Sequence, residues 1–312
     1  MSLRIATFNL KDFFLPRSDA ERSIAPGKFA NIGANLRRAN ADVVALQEVG
    51  EEQQLERLVK DVADLGYGEP VLGTADRRGI RCAMLSRLPI VWSQVHTHKA
   101  IPFPRFVEGD ADPFGERIPL RRGIIHVRVE SPDLGEVDVM TMHFKSNLPV
   151  MARTKDGREI ADTTPKARAE SALRSLVQRA AEAVYVRGLI DDVFRSLPDH
   201  AVCVLGDMND SIDSLPVRIV RGLGDPSETS PSPQVLRPCA ELLDEGRRYS
   251  CFHGDTKTLI DHVLVSDRLF RATKSYEIYN EKLRYHGPHI EPIAPTEDSD
   301  HAMCVAEFGW AV

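Results

Sequence analysis

The chain has 312 residues, of which 42% are hydrophobic and 28% charged, the composition of a folded globular protein and not of a disordered one. Its 20 glycines and 20 prolines exclude a collagen-like or low-complexity polymer. With 40 Lys and Arg against 46 Asp and Glu the net charge is −6, so bulk attraction does not gather nucleic acid, and any polyanion has to be met by a local basic patch or a metal ion.

Short runs rich in Val, Ile, Thr and Phe, bounded by turn residues, predict strands. In chain order they are LRIATFNL, DVVALQ, RCAMLS, PIVWSQV, GIIHVRVE, VDVMTMHF, AVCVLGD, LIDHVLVS and AMCVAEF. Helices are predicted between some of them. One covers about 27–40, with Phe29, Ile32 and Leu36 on one face, and another about 51–65, with Leu55, Leu58, Val62 and Leu65 on one stripe. The longest opens at Thr164-Pro165, an N-cap residue followed by Pro at the first helical position. Its apolar stripe runs from Leu173 to Phe194 and stops before Pro198. The short connections SRLP and SPDLGE predict antiparallel pairing of the strands they join. Residues 96–123 and 222–240, rich in Pro, Gly and Asp, predict loops. Without an internal repeat or a dividing linker, the pattern predicts one α/β domain over residues 1–312, a layered sandwich of sheets covered by helices.

The cysteines (Cys82, Cys203, Cys239, Cys251 and Cys304) are odd in number, lack C-x-x-C spacing, and in three cases sit inside apolar runs. Buried, reduced thiols are expected, not a disulfide frame or a zinc site. No run approaches 18 consecutive apolar residues, so no membrane span is expected. MSLRIATFNL has no basic segment followed by an apolar stretch, which points to a cytoplasmic chain or to one already trimmed of a leader.

Residues that bind metal or move protons collect at the ends of the apolar runs. Asn9 ends the first, Glu48 follows DVVALQ, and His143 ends VDVMTM with Lys145 and Asn147 after it. Asp207, Asn209 and Asp210 follow VCVLG, Asp261 and His262 interrupt LIDHVLVS, and Asp300-His301 precedes AMCVAEF. Singly, each has an ordinary alternative. Asn9 serves as a turn residue, Asp207 as the start of an Asx-turn, Asp300 as an N-cap and His143 as a satisfied core histidine. Together, strand ends meeting at one rim would gather oxygen ligands suited to Mg²⁺ or Mn²⁺.

The motifs FNL, LQE, MHFKSN, LGDMND, IDHVLVS and SDH, in this order over residues 4–308, resemble the endonuclease/exonuclease/phosphatase superfamily, which has a deoxyribonuclease-I-like fold. The resemblance implies a four-layer α/β/β/α sandwich, with two mixed, largely antiparallel sheets covered by helices and the site at one rim. It implies divalent-metal hydrolysis of phosphoester bonds, with Mg²⁺ or Mn²⁺ as cofactor. Carried over residue by residue, it makes Glu48 the principal metal ligand, with Asn9 and Asp300 beside it. Asp207, helped by Asn209, would deprotonate the attacking water. Asp261 would hold His301 facing the phosphate, and His143 would stabilise developing charge or protonate the leaving oxygen. Deoxyribonuclease-I-like members pair the histidine at position 143 with a third-strand glutamate, and RGIRCAMLS offers none.

A local basic patch is expected from Arg77, Arg78, Arg81, Arg121, Arg122 and Lys145, of which Arg81 and Lys145, with Asn147, are the expected phosphate contacts. The texts LQEVG and FNLKDFF differ from abasic-site repair enzymes, whereas HFKSN and GDMNDSIDSLPV look more like bacterial non-specific nucleases. A phosphodiesterase of low sequence specificity acting on nucleic acid is therefore expected, and the sequence points to no protein partner. The rivals within the fold are a phosphomonoesterase, a lipid phosphatase and a sphingomyelinase. An aromatic content of 6% argues against membrane insertion. A binding module without catalysis would have lost one of Glu48, Asp207, Asp261 or His301, and all are present.

Overall fold

All nine predicted strands form, and their packing explains why they are apolar nearly throughout: each central strand is buried on both faces. The computed structural model describes residues 2–224, 232–284 and 295–310. The chain runs β1 (Leu3–Phe13), α1 (Asp19–Ala39), β2 (Val43–Val49), α2 (Glu52–Asp61), β3 (Val71–Leu72), β4 (Arg81–Ser86) and β5 (Ile90–His96). It continues through β6 (Ile124–Ser131), β7 (Gly135–His143), α3 (Pro165–Ser196), β8 (Ala201–Asp207), α4 (Leu215–Arg221) and β9 (Arg237–Pro238). Then follow β10 (Cys251–His253), β11 (Thr256–Thr258), β12 (Asp261–Val265), α5 (Asp267–Arg271), β13 (Thr273–Ile278) and β14 (Cys304–Phe308).

One six-stranded sheet has the order β13-β14-β1-β2-β4-β3, the other β5-β6-β7-β8-β12-β9, and β10 and β11 form a small hairpin. Each large sheet contains one parallel pair, β1–β2 and β7–β8, among antiparallel neighbours. A parallel pair needs a long crossover, which α1 and α3 supply.

Side-chain alternation along the strands builds three apolar layers. Ile5, Val43, Ala45, Val127, Val139, Cys203 and Leu205 fill the space between the sheets. On the outer face of the first sheet, Ala6, Val44 and Leu46 meet Phe29, Ile32 and Leu36 of α1 and Leu55 and Leu58 of α2. On the outer face of the second, Met140, Val202 and Val204 meet Val186, Ile190 and Phe194 of α3 and Val217 of α4. Each such Leu, Ile or Phe contributes roughly 1.5–3 kcal/mol by leaving water. The result is the expected α/β/β/α sandwich. All five cysteines are buried and unpaired.

Two local expectations differ from what is observed. SPDLGE does join an antiparallel pair, β6 and β7, but SRLP carries the chain from one sheet to the other. Ser86 Oγ donates to the Leu88 carbonyl and accepts from the Leu88 N–H, a local turn that directs β5 onto β6 instead of back along β4. The first helix starts earlier than predicted, at Asp19, because Ser18 and Glu21 form a reciprocal capping box and Pro26 lies inside the helix. The predicted loop at 222–240 contains β9 and a short 3₁₀ turn, and its residues 225–231 lie outside the described residues.

Two features fix the sheets at one end. Thr7 Oγ1 donates to Gln47 Oε1 and Gln47 Nε2 donates to Thr141 Oγ1, both at 3.1 Å, a buried polar chain from β1 through β2 to β7 in the other sheet. At Gly206 φ is +140°, and a Cβ would stand 2.1 Å from the Met142 carbonyl oxygen. The next paired residues along β7 and β8 are His143 and Asp207, so this close backbone approach sets their spacing. Gly206→Ala is expected to cost roughly 3 kcal/mol or more, because the obstruction is backbone and not a flexible side chain. Thermal unfolding checks this, and a melting temperature within about 2 °C of wild type would show that the strands part there at little cost.

Candidate active site

Parallel neighbours end on the same side, so the C-terminal ends of β1 and β2, and of β7 and β8, reach one rim. Asn9 and Glu48 come from β1 and β2, while His143 and Asp207 are the last residues of β7 and β8. β12 and β14 run the opposite way and begin there, so Asp261 opens β12 and Asp300 and His301 immediately precede β14. The topology thus brings the expected catalytic and metal-ligating residues together.

Asp207 is the best-held of them. Its Oδ2 accepts Asn9 Nδ2 at 3.0 Å and lies 3.4 Å from His143 Nε2, and its Oδ1 accepts the Asn209 N–H at 2.9 Å. That last bond is an Asx-turn. Asn209 is fixed in turn by its Nδ2 on the Phe144 carbonyl at 3.1 Å. Burial, reinforced by the nearby Asp261 carboxylate, pushes the Asp207 carboxyl up to about 7. A buried group that titrates near neutrality at a rim is equipped to exchange protons.

The two histidines differ. His301 Nδ1–H donates to Asp261 Oδ2 at 2.7 Å, and that oxygen also accepts Ser250 Oγ at 2.6 Å. Burial alone would lower the His301 pKa, but the Asp261, Asp207 and Asp300 carboxylates raise it well above the ordinary value. His143 goes the other way. Burial, then Arg122 and His301, hold it well below, and its buried Nδ1 has no hydrogen-bond partner, matching the absence of a third-strand glutamate. At neutral pH the site presents one imidazolium and one neutral imidazole.

Glu48 lies beside Asn9 among the expected metal ligands. Its Oε1 lies 3.4 Å from Asn9 Nδ2, and its Oε2 accepts the Asp12 N–H at 2.8 Å. Asp300 Oδ2 is 2.8 Å from Lys11 Nζ, and Asn9 Oδ1 accepts the Lys11 N–H at 2.9 Å. Burial would raise the Asp300 pKa, yet His301 and Lys11 bring it below the usual carboxylate value. The donor set is carboxylate and amide oxygen without a thiolate, the chemistry of a hard cation such as Mg²⁺ or Mn²⁺. Ligand atoms of Asp207, Asp261 and His301 also lie within 4.8 Å of one another; a hydrogen bond joins Asp261 and His301, and Asp261 Oδ1 is buried without a partner.

The basic residues are arranged differently from a simple surface patch. Arg81 opens β4 with its Nε buried and unpartnered, and Asn147 Nδ2 donates to the Asn209 carbonyl at 2.9 Å. Lys145 folds back so that its ammonium donates to the Ser146 carbonyl, Ser146 Oγ and the Leu148 carbonyl. Burial, with Arg121, Arg179 and Arg122 around it, lowers its pKa to about 8. Arg122, expected in the patch, is instead buried: its guanidinium joins Asp76 to the His143 and Phe144 carbonyls. Arg77 and Arg78 are exposed.

Several residues that shape the site carried no signal in the sequence. Ser250 accepts the Ile260 and Asp261 N–H groups while donating to Asp261, and Ser299 links the Asn9 carbonyl to the His301 N–H. Backbone strain was equally hidden. Of five non-glycine residues with positive φ among the described residues, Lys11, Asp12, Glu48 and Asn209 are all here, and only Asn40, a helix cap, is elsewhere. Such a conformation costs a non-glycine residue on the order of 1 kcal/mol, and four of the five gather at this rim.

No functionally curated protein is detectably similar to the chain in sequence. Solved structures share the fold at low identity. A mannosyl-6-phosphatase from Bacteroides thetaiotaomicron VPI-5482 is 18% identical, with 99% of this chain and 100% of that one covered and a TM-score of 0.62. An endonuclease/exonuclease/phosphatase family protein, also from Bacteroides thetaiotaomicron, is 17% identical, with 100% and 99% covered and a TM-score of 0.60. TDP2 from D. rerio, solved with a single-strand DNA product, is 14% identical, with 99% of each chain covered and a TM-score of 0.57. The match that decides the family lies in the sequence itself: over residues 6–301 the chain belongs to the Endonuclease/Exonuclease/phosphatase family, whose members are phosphoester hydrolases.

Proposed function

We propose that residues 1–312 act as one catalytic unit, a divalent-metal-dependent phosphodiesterase and specifically a nuclease of low sequence specificity. The observation that carries this is Asp207, a buried carboxylate held by Asn9 and the Asn209 N–H beside two histidines of opposite charge state. Asp207 takes the proton of the attacking water. His301, oriented by Asp261, places a cation where negative charge develops on the phosphate. His143, neutral and 3.4 Å from Asp207, would relay a proton toward the leaving oxygen. Asn9, Glu48 and Asp300 would hold Mg²⁺ or Mn²⁺, which when bound polarises a non-bridging phosphate oxygen. Arg81 and Asn147 take the phosphate side, and Lys145 adds charge while holding the 146–148 loop.

A nucleic-acid substrate is supported by analogy with TDP2, whose structure holds a DNA product. A phosphomonoester is the second reading. It is favoured by the sugar-phosphate phosphatase that shares the fold and by the internal engagement of Lys145 and Arg122, which leaves fewer cations for a long polyanion. Lipid phosphatase activity belongs to the same alternative, while a sphingomyelinase would be a phosphodiesterase with a lipid substrate. Assays with Mg²⁺ or Mn²⁺ on plasmid, single-stranded DNA, RNA, bis-p-nitrophenyl phosphate, inositol phosphates and a sugar phosphate separate these classes.

Asp207→Asn keeps shape but takes no proton, and kcat is expected to fall by about 10²–10⁴-fold. His301→Ala should fall comparably and Asp261→Asn in part, and the double variant should lose little beyond His301→Ala, since the pair acts as a unit. His143→Ala is expected to lose less than Asp207→Asn. Near wild-type kcat for Asp207→Asn on every phosphoester tested, with the fold intact by circular dichroism, would overturn the assignment.

Activity should also follow Asp207's titration. A base must be deprotonated, so kcat/KM is expected to rise as pH passes upward through about 7 and to fall again where His301 loses its proton, well above its ordinary value. Asp207→Asn should abolish the acidic limb, and a profile flat from pH 5 to 8 in the wild type would exclude Asp207 as the base.

Glu48→Gln removes one charge from the hard-oxygen set. It is expected to raise the Mg²⁺ concentration needed for half-maximal activity, and an unchanged metal titration would remove Glu48 from the ligand set.

A further inference from the structure

The cation that the structure does place on the candidate metal ligands belongs to the chain. Lys11 follows Asn9 by two residues, at the point where β1 leaves regular extended geometry. Lys11 and Asp12 both adopt left-handed conformations, with φ of 49° and 46°. Four hydrogen bonds hold this strained segment: Lys11 N–H to Asn9 Oδ1, Lys28 Nζ to the Lys11 carbonyl, Asp12 N–H to Glu48 Oε2, and Phe14 N–H to the Asp12 carbonyl. The detour turns the Lys11 side chain inward. It is 9% exposed, unusual for a lysine, and its ammonium lies 2.8 Å from Asp300 Oδ2. Burying this stem orders a flexible side chain, and the compensation is the ion pair with a carboxylate that is itself largely enclosed.

An ammonium on Asp300 and a divalent ion on the same carboxylate repel each other and compete for its oxygens. We propose that Lys11 is a tethered competitor for the divalent cation: it neutralises Asp300 in the metal-free protein and must leave Asp300 Oδ2 when the metal binds. This rests on Asp300 being a metal ligand, as proposed above. Lys28 is the natural control. It is a second lysine whose charge faces Glu48, Asp12 and Asp300, but its hydrogen bond goes to the Lys11 carbonyl and not to Asp300. General charge repulsion would make the two lysines equivalent, whereas tethering makes Lys11 special.

Isothermal titration with Mn²⁺ alone, on the full chain stripped with a chelator, tests this without relying on turnover. Lys11→Met is expected to bind Mn²⁺ at least roughly tenfold more tightly than wild type, the equivalent of about 1.4 kcal/mol, and Lys28→Met to gain clearly less. Lys11→Met should also melt lower than wild type in chelator and recover more on adding Mn²⁺, because Asp300 then lacks its counter-charge without the metal. Should Lys11→Met fail to fold, Lys11→Gln keeps a hydrogen-bond donor for Asp300 without the charge and should show the same ranking. Equal Mn²⁺ affinity for wild type and the Lys11 variants overturns the tethered-competitor role while leaving metal dependence in place if Glu48→Gln still weakens binding. No detectable Mn²⁺ binding by wild type, Glu48→Gln and Lys11→Met alike overturns the metal-dependent reading itself, and the competitor role with it.

Discussion

The Asn9 amide on the Asp207 carboxylate is the bond on which the site depends. It joins the end of β1 to the end of β8, residues 198 apart in sequence and in different sheets, and it is buried. An unpaired buried carboxylate carries a penalty of several kcal/mol unless it is neutralised or hydrogen-bonded. Asp207 therefore stays in place only if the two sheets close correctly, and closing them brings Glu48, Asp300, His143 and His301 to the same rim. The Thr7–Gln47–Thr141 chain lies just behind and serves the same registry. Since the core between the sheets is almost wholly apolar, it cannot by itself set their relative register to a fraction of an ångström; directional bonds at the rim can.

Precision at the rim comes with local strain. Lys11, Asp12, Glu48 and Asn209 occupy left-handed backbone, and none is a glycine that would adopt it freely. The hydrogen bonds that hold these conformations are made by site residues themselves: Glu48 takes the Asp12 N–H, Asn9 takes the Lys11 N–H, and Asp207 takes the Asn209 N–H. Stability from the three apolar layers offsets the strain. Gly206 is the complement, a place where φ and the approach of Met142 leave room for no side chain at all.

Much of this was legible in the sequence because continuous apolar runs and strand-end polarity are local signals. LRIATFNL, AVCVLGD and AMCVAEF read as strands, and their polar termini pointed to a rim. What stayed hidden depends on distant partners. SRLP has the length of a hairpin turn, and only packing of Leu88 and Ile90 into the inter-sheet core shows that it changes sheets. The first helix, predicted from about residue 27, is started by the Ser18–Glu21 capping box roughly two turns earlier, with Pro26 inside it. Arg122 and Lys145 read as solvent-facing cations, because nothing local announces that Asp76, two strand-end carbonyls and the 146–148 loop will claim their donors. Ser250 and Ser299 are ordinary loop residues until Asp261 and Asn9 are placed beside them.

The two histidines show how the same side chain acquires opposite charge from its surroundings. Both are buried, and burial disfavours the imidazolium in both. His301 faces Asp261, Asp207 and Asp300, so three carboxylates outweigh desolvation. His143 faces Arg122, Arg78, Lys145 and the His301 cation, which add to it. The sign is set by which strand end each histidine occupies: β14 begins beside the acidic ends of β8 and β12, with Asp300 just ahead of it, while β7 ends against the arginine-bearing loop before β6. Exchanging the charges on those flanks would exchange the roles. A site with the same residues but another strand order would therefore not perform the same chemistry, which is why the parallel pairs β1–β2 and β7–β8, and not the residue types alone, determine what this rim can do.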